Sequence, residues 1–307
     1  MKIHENESMS KHTSFKVGGP ARYFLKAESV DEIRNAIQFF SEQAIPYYIV
    51  GNGTNLLVSD LGYEGGIITL GKTFSEIQDL GEGKFKVGAG VSLGAFARRS
   101  IKMSFAGIHK LAGIPGTLGG AIYMNAGAYG QEICQTCVDV ESLNQNGTVL
   151  VRSTKECEFG YRHSLFQNLT ANGNGEIILS ATFQLEAPET SGKDSFTLET
   201  EMQECMAKRK ASQPLNMPNA GSTFKRLEVG AEGMPQQIAP GYYIEQAGLK
   251  GYRIGGAEVS NVHANFIVNA GDATASDIKS LSEYIQKTVA EKFNIQLQRE
   301  IILIGKF

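Results

Sequence analysis

The sequence predicts an α+β fold, and three observations support this class. Short strands and a hairpin outnumber helices in the first half of the chain. A linker rich in Pro, Gly and polar residues follows, and a long amphipathic helix and an apolar strand come near the end. Two loops with few side chains, residues 51–55 and 113–130, interrupt the first half. A chain of 307 residues suggests two domains, so we expect an α+β domain with glycine-rich loops and a second α+β domain.

The chain begins with a predicted β-α-β unit. Residues 21–27 are predicted to form a strand, and Ser29 is expected to cap the helix that follows, with Glu32 completing a capping box. The apolar run 45–50 predicts a buried strand that ends at the first glycine loop. This arrangement is typical of a small nucleotide-binding subdomain. One face of the predicted helix carries Val30, Ile33, Ile37 and Phe40.

The next segment is predicted to consist mostly of strands, which are bounded by turn residues. Ser92 is expected to open a helix that runs to about Met103. Asn146 and Gly147 lie between two apolar runs and predict a hairpin. The predicted strands cover residues 67–70, 76–80, 85–89, 138–143, 148–151 and 177–185.

The remainder of the chain is predicted to contain both helices and strands. Residues 187–193 form the clearest linker, because Pro, Gly and polar residues occur together there. Gly248 is expected to end a short helix. The predicted helices cover 197–210, 242–247 and 276–291, and the predicted strands cover 221–226 and 301–304. The longest helix is amphipathic, with one side formed by Ile278, Leu281, Ile285 and Val289.

The two glycine loops indicate an anion-binding site. Glycine allows a positive φ and lets a ligand approach bare backbone N–H groups, and a run of such groups forms a concavity for anions. A strand followed by glycine and small polar residues, as at 45–55, can hold phosphate at the strand end. The first loop is not a Walker loop, and no glycine begins the fingerprint G-x-G-x-x-G. The loops therefore suggest a dinucleotide that is held in another fold.

Composition argues against several function classes. Hydrophobic residues make up 42% and charged residues 20% of the chain, as expected of a globular protein with a sizeable core. The net charge of −3 gives no reason to expect nucleic-acid or membrane binding. The polar N-terminus lacks an apolar signal core, so we expect a cytoplasmic protein. Cys134 and Cys137 form a lone C-x-x-C, and we expect ordinary reduced thiols there and no metal site.

Five motifs occur in a fixed order: GNGTNLLVSD, AGIPGTLGGAIYMNAGAYG, GYRHSLF, AGSTFKR and LQREIILIG. In these motifs the sequence resembles the UDP-N-acetylenolpyruvoylglucosamine reductase family, from about Ser14 to the last residues. The resemblance implies a two-subdomain FAD-binding fold of the vanillyl-alcohol-oxidase/PCMH type over 14–187, with subdomains of about 14–70 and 71–187. It also implies a C-terminal α+β substrate-binding domain over 197–307, whose last strand returns Glu300 to the active site.

The resemblance implies an FAD-containing, NADPH-dependent oxidoreductase of peptidoglycan precursor synthesis. Its expected reaction is the reduction of UDP-N-acetylglucosamine enolpyruvate to UDP-N-acetylmuramate, which connects it to cell wall biogenesis, cell shape and cell division. FAD is expected to be bound non-covalently, and NADPH, the hydride donor, is expected to use the substrate cavity in turn. The expected partners are therefore small molecules, with no nucleic acid and no membrane, and we favour a monomer.

The resemblance also assigns three catalytic residues. Arg162 is expected to face the enolpyruvyl carboxylate, since a planar guanidinium binds a carboxylate through two parallel hydrogen bonds. Ser222 is expected to donate a proton to carbon, and Glu300 is expected to join the arginine at the reacting group. From the residues alone, a surface arginine, a solvated serine and the solvated end of a strand are the simpler interpretations. The residues expected to bind substrate are Tyr161, Lys225 and Arg226.

The cofactor is expected to lie against both glycine loops. A glycine-rich bend between two packed elements is the alternative interpretation of the second loop. No metal ligands are predicted. The residues predicted to bind FAD are Gly51, Asn52, Gly53, Thr54, Asn55, Gly113, Gly116, Thr117, Gly119, Gly120, Ala121, Asn125 and Gly127.

Two other functions are alternatives to the reductase. The first is a flavin oxidase of the wider fold, acting on another alcohol or sugar. Many such oxidases attach FAD through histidine, but the first loop has none and only His109 lies near the second. The second is a nucleotide-sensing module without chemistry, which the matching motifs around the three catalytic residues argue against.

The family has two subclasses, and one of them carries a tyrosine-bearing insertion that covers the substrate. The short spacing after the linker leaves little room for that insertion, so the chain resembles the shorter subclass. The basic candidates for the nucleotide end of the substrate are Lys208, Arg209, Lys210, Lys225 and Arg226.

Overall fold

The computed structural model describes residues 2–171, 175–227 and 239–307. Within these ranges the chain forms eight α-helices and sixteen short strands. The helices are α1 (Val30–Glu42), α2 (Leu93–Lys102), α3 (Leu118–Tyr123), α4 (Leu165–Ala171), α5 (Pro188–Ser191), α6 (Ser195–Ser212), α7 (Pro240–Gln246) and α8 (Ala275–Phe293). The strands are β1 (Ile3–Ser8), β2 (Pro20–Ala27), β3 (Tyr47–Ile49), β4 (Leu56–Val58), β5 (Tyr63–Leu70), β6 (Ile77–Asp79), β7 (Lys84–Gly88), β8 (Gly127–Ala128), β9 (Gln131–Glu132), β10 (Cys137–Leu143), β11 (Val149–Ser153), β12 (Ile177–Gln184), β13 (Arg253–Ile254), β14 (Ala257–Val259), β15 (Ile267–Asn269) and β16 (Ile302–Ile304).

The strands form several small sheets. Strands β1, β2, β5 and β3 lie side by side in that order, and β3 runs parallel to β5. The largest sheet has the order β11, β10, β12, β7, β6, with antiparallel pairs throughout. Strands β13, β14 and β15 form an antiparallel sheet, β16 pairs in parallel with β4, and β8 pairs with β9.

The chain divides into two compact units, each assembled from separate segments. The boundary falls inside the first glycine loop, after Gly51. The domain boundaries that the resemblance implies remain a prediction. The first unit consists of Met1–His4, Phe24–Gly51 and Gly66–Arg209, and the second of Glu5–Tyr23, Asn52–Gly65 and Lys210–Phe307.

The core of the first unit lies against the five-stranded sheet. Phe96 of α2 is fully buried between Phe85 of β7 and Phe183 of β12, with ring centroids 6.0 and 5.1 Å away. Leu198 and Met202 of α6 belong to the same apolar cluster. These contacts fix α2, the helix before the glycine-rich stretch, and α6, the last helix of the first unit.

The first predicted helix is confirmed, with one difference at its N-terminus. The Ser29 hydroxyl accepts a hydrogen bond of 3.1 Å from the N–H of Glu32, as expected of an N-cap. The Glu32 carboxylate accepts from the N–H of Glu28 at 2.8 Å, one residue before the partner expected in a capping box. The strand predicted over 45–50 is shorter, since β3 begins only after Pro46, which has no N–H for the ladder. The three residues of β3 are half-buried, whereas a buried strand was predicted.

The predicted hairpin is confirmed. Its last pair joins Leu143 of β10 to Val149 of β11. The N–H of Gly147 donates to the carbonyl of Asn144 at 3.0 Å, and Gly147 has a φ of 74°, a conformation that glycine adopts without strain. The predicted starts and ends at Ser92 and Gly248 are also confirmed, since α2 follows Ser92 and α7 ends shortly before Gly248.

The core of the second unit is organised by α8. Its predicted apolar side is confirmed, because Ile278, Leu281 and Ile285 are fully buried. The carboxylate of Asp60 caps this helix by accepting hydrogen bonds of 2.7 and 2.8 Å from the N–H groups of Ala275 and Ser276. A residue just after β4 therefore fixes the start of the longest helix.

The predicted strand over 221–226 is wrong. Only an isolated bridge between Phe224 and Arg299 forms there, and Gly221 has a φ of 77°. The side chain of Asn265 takes the place of a neighbouring strand: its Oδ1 accepts from the N–H of Phe224 at 3.1 Å, and its Nδ2 donates to the carbonyl of Phe224 at 2.9 Å. Backbone hydrogen bonds from Lys225 to Gln298 and from Glu300 to Thr223 also hold this segment.

Other elements differ from the sequence-based expectation or were not predicted. The predicted linker contains α5, a single turn that starts at Pro188 and ends at Gly192 with a φ of 66°. Strand β1 was not predicted because its sequence is polar, and the short strands β13–β15 lie in a region with little alternation. None of the helices in the described ranges combines the length and apolar character needed to cross a membrane.

The four cysteines are free thiols. Cys134 is half-buried, and Cys137 and Cys157 are buried. Burial raises the pKa of Cys137 and raises that of Cys157 to about 11, so these thiols are protonated at neutral pH and unreactive.

Candidate functional site

In the first unit the two glycine loops meet. A β carbon added to Gly51 would lie 2.4 Å from Oγ1 of Thr117, so position 51 accepts only glycine without rearrangement. Thr117 is itself fixed as the N-cap of α3, where its side chain accepts from the N–H of Gly120. The structure therefore brings together two residues predicted to bind the cofactor.

Most backbone N–H groups at the start of α3 are used within the protein. Those of Leu118 and Gly119 donate to carbonyls of the segment before α2, at 2.8 and 2.9 Å, and that of Ala121 donates to the carbonyl of Thr117 at 2.9 Å. Within the described part of the chain, the N–H groups of Gly116 and Thr117 have no protein acceptor. The bare N–H groups are thus fewer than the glycine content suggests, and they lie just before α3.

Gly120 and Gly113 have opposite surroundings. A β carbon on Gly120 would meet only Oγ1 of Thr117, at 3.7 Å, which is an ordinary contact. A β carbon on Gly113 would lie 3.2 Å from Cδ of Arg209, so this glycine packs directly under an arginine side chain. The exposed position 120 can therefore accept a side chain, whereas the side chain of Arg209 fills the space beside position 113.

Arg209 lies near the end of α6 and is half-buried. Burial lowers its pKa, although a guanidinium remains charged at any physiological pH. No carboxylate among the described residues forms an ion pair with it. A half-buried cation beside glycines is suited to receive a ligand's negative charge. The sequence identified Arg209 only as one of several basic candidates, because nothing local distinguishes it from Lys208 or Lys210.

Arg162 occupies the third position of a tight turn. The N–H of Gly160 donates to the carbonyl of His163 at 3.0 Å, and the N–H of His163 donates to the carbonyl of Gly160 at 3.1 Å. Arg162 has a φ of 51°, where a non-glycine residue costs about 1–3 kcal/mol. Its Nη2 donates to the carbonyl of Gly127 at 2.8 Å, and its guanidinium lies 5.1 Å from the ring centroid of Tyr161.

Asn125 connects the glycine-rich stretch to this turn. Only 1% of its surface is exposed, and it also has a positive φ, 40°. Its Oδ1 accepts from the N–H of Cys134 at 3.0 Å, and its Nδ2 donates to Glu132 at 3.0 Å and to the carbonyl of Gly160 at 2.9 Å. The side-chain amide of this predicted cofactor residue is therefore occupied by protein partners.

In the second unit, Gly53 is required by the packing of the chain on itself. Its φ is 60°, and an added β carbon would lie 2.0 Å from the carbonyl oxygen of His12. The N–H of Ser14 donates to the carbonyl of Gly53 at 3.1 Å. Asn52 is exposed and Thr54 is half-buried. Glycine at position 53 thus has a structural reason that is independent of any ligand.

The structure brings the segments of Ser222 and Glu300 together. The N–H of Glu300 donates to the carbonyl of Thr223 at 2.8 Å, and the amide of Asn55 donates to the carbonyl of Glu300 at 3.0 Å. Ser222 is half-buried and follows Gly221, around whose α carbon the space is open. Two predicted catalytic residues and one predicted cofactor residue therefore share one hydrogen-bonded layer.

The predicted substrate residues are divided between the two units. Tyr161 lies in the turn of Arg162 in the first unit. In the second unit, the N–H of Lys225 donates to the carbonyl of Gln298 at 2.8 Å, which extends the layer that contains Glu300. Lys225 is half-buried and Arg226 is exposed.

His109 forms a charged cluster with α6. Its Nε2 lies 2.9 Å from Oε2 of Glu201. The other carboxylate oxygen of Glu201, Oε1, accepts from Nζ of Lys193 at 2.6 Å. Burial lowers the pKa of His109, and the hydrogen bond from Lys193 lowers the pKa of Glu201 to about 2. Nε2 of His109 is therefore already hydrogen-bonded to the carboxylate of Glu201. Among the described residues, no three His, Cys, Asp or Glu side chains are grouped so as to hold a metal ion.

These features fit a dinucleotide with a pyrophosphate. The contact between Gly51 and Thr117 keeps side chains away from the junction of the two loops. Gly120 opens onto free space, and Arg209 supplies positive charge beside Gly113. The residues of the first unit can therefore hold FAD.

Comparison with known proteins agrees with this geometry. The model of an FAD binding domain matches residues 21–153, and the model of the UDP-N-acetylenolpyruvoylglucosamine reductase C-terminal domain matches residues 213–304. The UDP-N-acetylenolpyruvoylglucosamine reductase of Caldanaerobacter subterraneus subsp. tengcongensis is 43% identical, over 99% of this chain and 94% of that protein. The corresponding protein of Lachnoclostridium phytofermentans is 40% identical, over 98% of this chain and 92% of that protein.

A solved structure gives the same result. The crystal structure of the UDP-N-acetylenolpyruvylglucosamine reductase of Thermus caldophilus matches with a TM-score of 0.81 and 31% identity, covering 99% of this chain and 100% of that one. The predicted α+β class and the prediction of an FAD-containing oxidoreductase are confirmed, and the alternatives of a flavin oxidase and a silent sensor are wrong. The chain belongs to the UDP-N-acetylenolpyruvoylglucosamine reductase family.

Proposed function

We propose that this chain reduces UDP-N-acetylglucosamine enolpyruvate to UDP-N-acetylmuramate with NADPH, and that Arg162, Ser222 and Glu300 are its catalytic residues. Membership of the family supports the reaction. One observation supports the residue roles above all: the hydrogen bond from the N–H of Glu300 to the carbonyl of Thr223, 2.8 Å long. It holds the segment of the proposed proton donor beside the proposed acid.

Arg162 is suited to bind the substrate carboxylate. A guanidinium presents parallel N–H groups that match the two oxygens of a carboxylate, and such charge-assisted pairs are stronger than neutral hydrogen bonds. The hydrogen bond to the Gly127 carbonyl and the stacking on Tyr161 limit the orientations of the guanidinium. Lys225 and Arg226 supply positive charge for the diphosphate of the substrate.

The remaining chemistry concerns charge and a proton. When bound, FAD supplies the hydride that reduces the double bond, with NADPH as its reductant. Negative charge then develops on the carbon next to the carboxylate, where Arg162 and Glu300 stabilise it. Preorganised groups of this kind contribute about 3–4 kcal/mol each to transition-state stability. Ser222 donates the proton that completes reduction at this carbon, and Lys225, three residues away, can compensate the alkoxide charge.

We propose non-covalent FAD, because His109 is bound to Glu201 and is not free to attack a flavin. A cytoplasmic, monomeric enzyme is also proposed, and light scattering during size-exclusion chromatography tests the oligomeric state. Heat precipitation tests the attachment, since non-covalent FAD stays in the supernatant.

The test of the reaction uses purified, FAD-containing protein under anaerobic conditions. Beyond the one equivalent that reduces the bound FAD, NADPH is consumed only when the enolpyruvyl substrate is present, and one UDP-N-acetylmuramate forms per NADPH, detected by a mass two hydrogens above that of the substrate. NADPH consumption that needs oxygen and ignores the substrate would refute the proposal.

A further inference from the structure

The turn that carries Arg162 is held from both sides by side-chain amides. The carbonyl of Gly160 accepts from Nδ2 of Asn125 at 2.9 Å, and the carbonyl of Arg162 accepts from Nε2 of Gln167 at 3.0 Å. The same Nε2 donates to the carbonyl of Tyr123 at 2.8 Å. The turn is thereby attached, before and after Arg162, to the C-terminal end of α3 and the residues that follow it.

Both amides use all their donors in this attachment. A primary amide has two N–H groups. Those of Gln167 go to the carbonyls of Tyr123 and Arg162, and those of Asn125 go to Glu132 and Gly160. Neither side chain keeps an N–H for a ligand, so their contribution is to the geometry of the turn.

The backbone of Arg162 needs such support. Its φ of 51° lies in the left-handed region, which glycine or asparagine normally fills at the third position of a turn of this kind. A turn released from its anchors would relax to an ordinary φ and carry the guanidinium away from the Gly127 carbonyl. Strained residues persist where the surrounding structure fixes them from several sides, as it does here.

We propose that Gln167, assisted by Asn125, is a positioning residue that orients Arg162 for the substrate carboxylate. This inference rests on the proposed role of Arg162. Its anchor, α3, begins at Thr117, which contacts Gly51. The carboxylate-binding arginine and the junction of the glycine loops are therefore attached to opposite ends of one short helix.

A double-mutant cycle on substrate affinity tests the proposal. Gln167→Met keeps the length of the side chain and removes both donors. The dissociation constant of the enolpyruvyl substrate is read from flavin absorption in the oxidised, FAD-containing enzyme without NADPH, so no turnover occurs. We expect affinity to fall about 10- to 100-fold in the otherwise native enzyme. In an Arg162→Ala background we expect less than about a 2-fold change, because the group that Gln167 orients is gone.

The matched control is Gln38→Met, an exposed glutamine on α1 that donates to Glu42. It should leave the dissociation constant unchanged in both backgrounds. Thermal unfolding and FAD content are measured for every variant. If Gln167→Met does not retain FAD, Gln167→Glu takes its place in the cycle, since it has the same shape and lacks the same donors at neutral pH.

The outcomes separate this inference from the proposed function. An equal loss of affinity in both backgrounds, or no loss in the native background, would overturn the role of Gln167 while leaving that of Arg162 intact. Normal affinity in Arg162→Ala alone would refute the proposed function of Arg162 and this inference with it.

Discussion

The side-chain amide of Asn55 donates a 3.0 Å hydrogen bond to the backbone carbonyl of Glu300, a residue 245 positions later in the sequence. The carbonyl of Asn55 accepts from the N–H of Ile302 at 2.9 Å, so the same residue begins the pairing of β4 with β16. A residue predicted to contact the cofactor thus also fixes the backbone of a proposed catalytic residue.

Asn55→Asp should therefore destabilise the protein even without FAD. The carboxylate has no N–H to donate and would face the carbonyl oxygen of Glu300. We expect a loss of about 1–3 kcal/mol in the free energy of unfolding, measured by urea denaturation of the FAD-free protein. Asn52→Asp, at an exposed neighbouring position, should change it by less than about 0.5 kcal/mol. Equal stability of the two variants would contradict the role given to this bond.

Gly120→Asp should weaken FAD binding without harming the fold. Gly120 is the third residue of α3, where an acidic side chain is favourable to the helix and meets no close neighbour. Its negative charge would repel a pyrophosphate at the loop junction. We expect the affinity of the FAD-free protein for FAD, followed by flavin fluorescence, to fall at least about 10-fold relative to Gly120→Asn.

The comparison with Gly120→Asn isolates charge, because the two side chains have nearly the same size. Equal affinities in the two variants would place the pyrophosphate elsewhere. Gly53 is a poorer position for this test, since any side chain there meets the carbonyl of His12 and disturbs the chain itself.

Arg162→Lys should impair the half-reaction with substrate and spare the half-reaction with NADPH. Lysine keeps the charge but loses the planar pair of donors. Anaerobic stopped flow should show reduction of the enzyme by NADPH within about 2-fold of normal and oxidation by the enolpyruvyl substrate slowed about 100-fold. Arg99→Lys, on the exposed side of α2, is the control. Slowing of both half-reactions to the same extent would indicate a structural role for Arg162.

Substitutions at Ser222 should affect proton transfer to carbon. With Ser222→Ala we expect FAD binding and reduction by NADPH to remain near normal, whereas product formation falls about 100-fold or more. Ser222→Cys should recover part of the rate, because a thiol is the stronger acid. The measurement is stopped-flow absorbance with product quantified by mass spectrometry. Normal product formation by the alanine variant would remove Ser222 from the mechanism.

The stability of the protein should fall below neutral pH because of His109. Burial lowers the pKa of His109 in the folded state, so the unfolded chain binds the proton more readily. The stabilising contribution is complete above the unfolded pKa of about 6.5 and is lost as pH falls through it toward the folded value. His109→Gln should therefore show a smaller drop in melting temperature than the native protein between pH 7.5 and 5.5. The difference between the two drops is the contribution of His109 to the pH dependence of stability.

His4→Gln provides the control, since His4 is exposed. It should retain the native pH dependence. Parallel melting curves for the native protein and His109→Gln across this pH range would show that His109 titrates normally.

Helices and hairpins were the most predictable parts of the fold. The apolar period of α8 and the Asn146-Gly147 hairpin depend on local sequence, and both are confirmed. The segment around Ser222 was not predictable in the same way. Its β-like residues suggested a strand, but both hydrogen bonds of the Phe224 backbone are made with the side chain of Asn265, about forty positions later, and no local sequence pattern predicts such a contact.

The candidate site shows the same limit. The glycine content correctly marked two loops that come into contact through Gly51 and Thr117. The glycine content could not distinguish Gly53 from Gly120. At position 53 a side chain would collide with the backbone of His12, whereas at position 120 a β carbon has no close neighbour. The positive φ of Arg162 and the packing of Arg209 on Gly113 have no sequence signal, because both depend on residues far away in the chain.

The pairing of β4 with β16 also has a consequence for biosynthesis. In the described residues β4 pairs with β16 alone. The carboxylate of Asp60 accepts its hydrogen bonds from the first turn of α8. The ribosome releases residues 52–65 well before it makes residues 275–304. Until then, β4 has an open edge that invites pairing with other chains. The second unit therefore cannot fold from its N-terminal segments as they emerge, and a nascent chain halted before β16 should depend on chaperones to remain unaggregated.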